Sequence, residues 1–193
     1  MPLLTRGSLL RLQTAHVETD ERVYDEVLYE VAERVQRSGS IGKGDIGALL
    51  FWKRLQANTP WAMRLHLLPD LEVRRRTAIA VEAVRDPAVE VPKAAQQGRF
   101  ALTSLPGFAR GDALASALLQ AAALSRMAVY DRRAQAALTR LGLELSAAPG
   151  RYGRYIALVE SLRDELSAAD GAAWTARDVD LALFELGRRA GAA

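Results

Sequence analysis

Apolar residues recur at helical spacing along most of the chain. Val23, Val27, Val31 and Val35 repeat every four residues, with Leu28 and Ala32 beside them. That is one face of an amphipathic helix, beginning after Asp20 and ending near Ser38-Gly39. Beyond a turn at Ser40-Ile41-Gly42-Lys43-Gly44, residues Ile46, Leu49, Leu50, Trp52 and Leu55 predict a second helix that runs to Asn58-Thr59-Pro60. Trp61 to Leu68 reads as a short helix or turn. Asp70 caps a further helix through Val73, Thr77, Ala80, Val81 and Val84, which stops at Asp86-Pro87 because a residue before proline is pushed out of helical conformation. Val91 to Ser104 holds the next helix.

Proline and glycine punctuate the centre of the chain. Leu105-Pro106-Gly107-Phe108-Ala109-Arg110-Gly111-Asp112-Ala113 interrupts one helix and starts another almost at once, as a tight helix–turn–helix bend does. Leu114, Ala117, Leu118, Ala121 and Ala122 carry that second helix to the polar step Ser125-Arg126. A short apolar run delivers Asp131, a good N-cap, to a third helix, and Gly142 is placed to stop it just after Leu141. Past the loop Ser146-Ala147-Ala148-Pro149-Gly150, Tyr152, Tyr155, Ile156, Val159, Leu162 and Leu166 form one stripe. Thr175 and Asp178 make a capping box for a last helix bearing Val179, Leu183 and Leu186. Residues 1–19 show little periodicity and are expected to be partly mobile, and 190–193 to fray. No stretch alternates as a strand does, and no solenoid period is present. The expectation is an all-α chain.

Leu105–Ala113 and the run Val129-Tyr130-Asp131-Arg132-Arg133-Ala134, with Arg140-Leu141-Gly142 after it, resemble the helix–hairpin–helix DNA glycosylase superfamily. The family pattern is L-P-G-V-G-x-x-T-A, a helix, then V-D-x-x-x-x-R-x-x-x-R-L-G. Asp131, Arg140, Leu141 and Gly142 fall at its spacing, and the resemblance is nearest to short, cysteine-free members of 8-oxoguanine-glycosylase type. It spans about 40 residues, Leu105 to Leu143. The resemblance implies a two-lobed fold within one domain, with lobes at roughly 40–140 and at 1–39 plus 141–193, and Asp131 facing the cleft between them. It implies a DNA N-glycosylase of base-excision repair. Two departures stand out. Ala109 replaces the family's second hairpin glycine, and Gly111 occupies the position where bifunctional members carry a Schiff-base lysine. The implied enzyme is therefore monofunctional and uses water. The alternative is a non-catalytic DNA-binding module that keeps the fold, and a third reading is a helical interaction protein without nucleic acid.

Composition narrows this further. The 193 residues contain no cysteine, which excludes disulfides, cysteine-ligated zinc and the four-cysteine iron–sulfur cluster. No apolar run approaches the roughly 20 residues of a membrane span. No metal site and no cofactor are expected, and the chain is read as a cytoplasmic monomer with duplex DNA as its partner. Net charge is +3, but Arg99 to Arg154 holds eight arginines against Asp112, Asp131 and Glu144. That +5 window around the bend suits a phosphate-binding surface, the remainder being −2.

Specific roles follow. The backbone of Leu105, Pro106, Gly107, Phe108, Ala109, Arg110 and Gly111 would hold a DNA phosphate beside a helix N-terminus. By the resemblance, Asp131 would stabilise the oxocarbenium-like sugar and activate water. Tyr130 and Trp52 are the candidate walls of a base pocket, and Arg132 and Arg133 the candidate DNA-backbone contacts. Lys43, Lys53 and Lys93 are the only lysines and none lies in the motif, while His16 and His66 stand alone.

Overall fold

The computed structural model describes residues 4–17 and 25–190, and among these all regular structure is helical. The helices are α1 (Arg6–Val17), α2 (Glu26–Ser38), α3 (Lys43–Trp52), α4 (Pro60–Leu67) and α5 (Asp70–Arg85). There follow α6 (Val91–Ala101), which tightens into a 3₁₀ turn at Leu102–Ser104, then α7 (Ala113–Ala122) and α8 (Arg132–Arg140). Two more, α9 (Arg151–Asp170) and α10 (Ala176–Ala190), complete the order. Asp20, Val23 and residues 191–193 lie outside the described residues, as does the His16 side chain.

Helix α7 is the hub. Leu114 through Ala122 are all buried, Ser116 and Gln120 included, which is the profile of a helix surrounded by protein. Around it pack α2, α3, α5 and α6. Helix α2 turns in Leu28, Val31, Ala32 and Val35, as the four-residue repeat predicts. On another side α8 and α10 lie together with α1, while α9 packs on α6 and α10. The α8–α10 approach is close enough that a Cβ on Gly187 would overlap the Arg133 carbonyl. Tyr152 and Tyr155 of α9 are fully buried, as the stripe at helical spacing anticipates.

Four expectations need correction. Asp70 does not cap α5: Pro69 sits at the N-cap position, and the Asp70 carboxylate accepts from Lys43 N–H and pairs with Arg74 instead. Residues 6–17 are helical, with Leu12 and Ala15 in the core against α10. The apolar face of α1 is so narrow that periodicity alone does not reveal it. Helix α7 ends at Ala122 rather than at Ser125. Most consequentially, α3 stops at Trp52, several residues before Asn58. Arg54 N–H donates to the Phe51 carbonyl and Leu55 N–H to the Leu50 carbonyl, a Schellman closure. The closure puts Arg54 at φ 53°, the one non-glycine residue with positive φ among those described. Left-handed backbone at such a residue costs about 1–2 kcal/mol. Glycine is the usual residue there, so the sequence carries no visible stop.

Candidate functional site

Asp131 is reached by an apolar segment that three side chains hold in place. The Tyr152 hydroxyl donates to the Ala128 carbonyl at 3.0 Å and the Tyr155 hydroxyl to the Val129 carbonyl at 3.1 Å. Tyr130 N–H donates to Ser116 Oγ at 2.9 Å. Helix α8 then begins with Asp131 as its N-cap: Oδ1 accepts from Arg133 N–H at 2.9 Å and from Ala134 N–H at 3.1 Å. Leu143 N–H to the Leu138 carbonyl and Gly142 N–H to the Thr139 carbonyl close the other end, with Gly142 at φ 75°. Both ends of α8 are thus where the sequence placed them.

The second oxygen does something else. Lys53 Nζ donates to Asp131 Oδ2 at 2.5 Å, with the lysine side chain 7% exposed and the aspartate 20%. The early stop of α3 turns Lys53 onto α8, so the backbone conformation at Arg54 and the ion pair are neighbours in the chain. Burial pushes the Asp131 carboxyl up, but the Lys53 ammonium and the two capping N–H groups outweigh it and hold the carboxyl below its usual value. The carboxylate is therefore charged at neutral pH.

Behind the pair lies a buried chain of charges. Arg177 bonds Asp25 and Asp180, and all three are buried. Burial, aided by the Asp131 charge, pushes the Asp180 carboxyl up to about 6 against the pull of Arg177 and Lys53. The ring of Trp52 has the Lys53 ammonium 5.7 Å and the Arg177 guanidinium 5.8 Å from its centroid. Trp52, Lys53, Val129, Asp131, Ala134, Arg177, Asp180, Leu181 and Phe184 enclose a space of about 10 Å³. That is room for about one water molecule, with carboxylates and cations to bind it, and far too little for a base.

At the bend, Leu105 and Phe108 are core residues, so the turn presents its backbone outward. Gly107 has φ 90°, and a Cβ there would strike the Trp61 ring, whose edge meets Phe108 with centroids 6.4 Å apart. Arg99 clamps the turn, donating to the Phe108 carbonyl at 2.9 Å and the Gly111 carbonyl at 2.8 Å. It also pairs with Asp112 Oδ1 at 2.8 Å, while Arg151 takes Asp112 Oδ2 at 2.6 Å. Spent on these two arginines, the Asp112 side chain leaves the N-terminus of α7 without a side-chain cap.

The other candidates divide. Tyr130 lies beside Asp131, but Tyr155 meets its ring with centroids 5.1 Å apart and Arg151 sits 4.8 Å from its centroid. Its hydroxyl donates to Gln135 Oε1 at 2.9 Å. Trp52 does line the space beside Asp131. Arg132 is exposed, and Arg133, also exposed, lies 4.5 Å from the centroid of Phe184. The arginine window is less open than its sum suggests. Arg99, Arg126, Arg140, Arg151 and Arg154 hold backbone carbonyls or Asp112 and serve the fold. Lys53, Arg177 and Asp180 were missed from sequence: they are distant in the chain, and only the packing of α3, α8 and α10 collects them. The run Trp52-Lys53-Arg54, a tryptophan followed by two cations, was the sole local sign.

No family model, no curated protein and no solved structure matches this chain. Among the described residues no cluster of three or more His, Asp or Glu could hold a metal ion, and no helix is long and apolar enough to cross a membrane.

Proposed function

We propose that this chain is a monofunctional DNA N-glycosylase of helix–hairpin–helix type, one that removes a damaged base with water as nucleophile. The observation that carries the reading is the Lys53–Asp131 pair: a carboxylate on a helix N-cap, kept ionised by a nearly buried ammonium at 2.5 Å. Asp131 would stand by the sugar as the C1′–N bond breaks and the electron pair leaves with the base. Water would then add to C1′, its proton passing to Asp131 or to solvent. Lys53 Nζ is spent on the pair with Asp131, so its role is to fix and charge Asp131. The two-lobed arrangement and the phosphate-holding bend belong to this same reading.

One observation favours the second reading, a DNA-binding module without catalysis. The space beside Asp131, about 10 Å³, admits no base unless α10 moves from α3. The test is a set of duplexes, each with a single damaged base, incubated with wild type and with Asp131→Asn. The expected result is excision by wild type on at least one lesion, lost in the variant while duplex binding persists. Borohydride should trap no protein–DNA adduct, and an adduct at Lys53 would overturn the water mechanism. Absence of excision on every lesion, with duplex binding intact, would establish the binding-module reading instead.

A further inference from the structure

A wide opening lies at the bend, away from Asp131. A groove of about 840 Å³ runs between α6, the bend and the start of α9. Its walls combine three kinds of chemistry. The charged residues lining it are Lys93, Arg99, Arg110 and Arg151 against the single carboxylate of Asp112, which Arg99 and Arg151 already neutralise. Lys93 and Arg110 are exposed, and neither has an ion-pair partner among the described residues. Ala109, Arg110 and Gly111 line the groove, and their backbone N–H groups meet no acceptor among the described residues.

An aromatic surface stands at the same place. Phe100 lines the groove and is 76% exposed, which for a side chain of that size is a large apolar area left to water. Gln96 and Gln97 line it too, and within the described residues their amides make no hydrogen bond. Cations and N–H groups suit phosphates, an open ring face suits a base, and carboxamides suit base edges. A duplex keeps its base faces stacked inside and could use only the first of these.

We propose that this groove binds an unpaired stretch of DNA, with a base stacked on Phe100 and the adjoining phosphate held by Arg110 and the bend. The inference rests on the DNA reading above but not on catalysis. It makes Phe100 a selector of unpaired over paired strands. Affinity should fall with salt at a log–log slope of about −0.7 for each phosphate held.

The test measures fluorescence anisotropy of a labelled 15-mer of thymidine and of a labelled duplex, using the full chain. Wild type, Phe100→Ala, Arg110→Glu and Arg37→Glu are compared, with circular dichroism to check that each folds. Phe100→Ala should weaken the single strand by about 5- to 150-fold, the loss of one stacked base, and leave the duplex within twofold. Arg110→Glu should weaken both probes and reduce the salt slope. Arg37→Glu, a charge reversal at an exposed residue outside the groove, should bind the single strand close to wild type. Unchanged single-strand affinity in Phe100→Ala, or equal losses on both probes, would overturn the inference even if excision is found. Selective loss in Phe100→Ala without excision by wild type would support the groove and count against the glycosylase alone.

Discussion

Removing the Lys53 ammonium should reverse the electrostatics of Asp131. Two unit charges 4 Å apart attract by about 4 kcal/mol at the effective dielectric of a protein surface, and desolvation offsets part of that. The pair here is closer and mostly buried, with exposures of 7% and 20%. Lys53→Met leaves the carboxylate with its two N–H donors but no counter-charge, at a cost of about 3 kcal/mol. Asp131→Asn strands the ammonium instead. The double variant strands neither, so the two losses should fail to add by about 2 kcal/mol. Sign and pH follow from the same contacts. In wild type the Asp131 carboxyl is held below its usual value, so its contribution is present above about pH 4 and lost as pH falls. Without Lys53, burial is the largest remaining influence and the carboxyl should rise above its usual value. The stability gap between wild type and Lys53→Met should therefore shrink as pH falls from 7 to 3. Urea unfolding of the four proteins across that range measures both quantities. A coupling below about 0.5 kcal/mol, or a gap indifferent to pH, would refute the argument.

Asp180 should show the opposite pH dependence. Its carboxyl is pushed up to about 6 in the fold, so stability falls as pH rises from about 4 to 6, and Asp180→Asn should unfold later than wild type at pH 7.5 but not at pH 3.5. An equal shift at both pH values would show that burial does not govern this group. Gly187→Ala should lose about 1–3 kcal/mol by forcing α10 away from the Arg133 carbonyl, whereas Gly44→Ala, with open space around it, should lose nothing in thermal melts. Gly107→Pro should misfold the bend, seen as a lower melting temperature, because φ is 90° there and the Trp61 ring fills the space a Cβ would need.

Much of the local structure was legible in the residues themselves. Asp131 as the cap of α8, the closure at Gly142, the Thr175–Asp178 box and the buried stripe of α9 all follow from short-range rules. A helix cap or a periodic face involves neighbours within four or five positions, and sequence displays those directly. The end of α3 was hidden because Arg54 takes a conformation that sequence reserves for glycine, held there by Phe51 and Leu50 carbonyls and by the packing around Lys53. Helix α1 was hidden because its narrow apolar face becomes meaningful only against α10.

The candidate site was legible by half. Asp131 and the bend could be named from spacing, but the chemistry of each depends on groups far away in the chain. Lys53 is 78 positions from Asp131, and Arg177 is 152 from Asp25. Charge summed along a sequence also misleads, because five of the eight arginines in the basic window bind carbonyls or Asp112. The free energy of a charged group is set by what surrounds it in three dimensions. The sequence alone therefore determined most of the helices, though not α1 or the end of α3, and named the aspartate. Tertiary packing decided that the aspartate meets a lysine in a space no larger than a water molecule, and that the open groove lies instead beside Phe100.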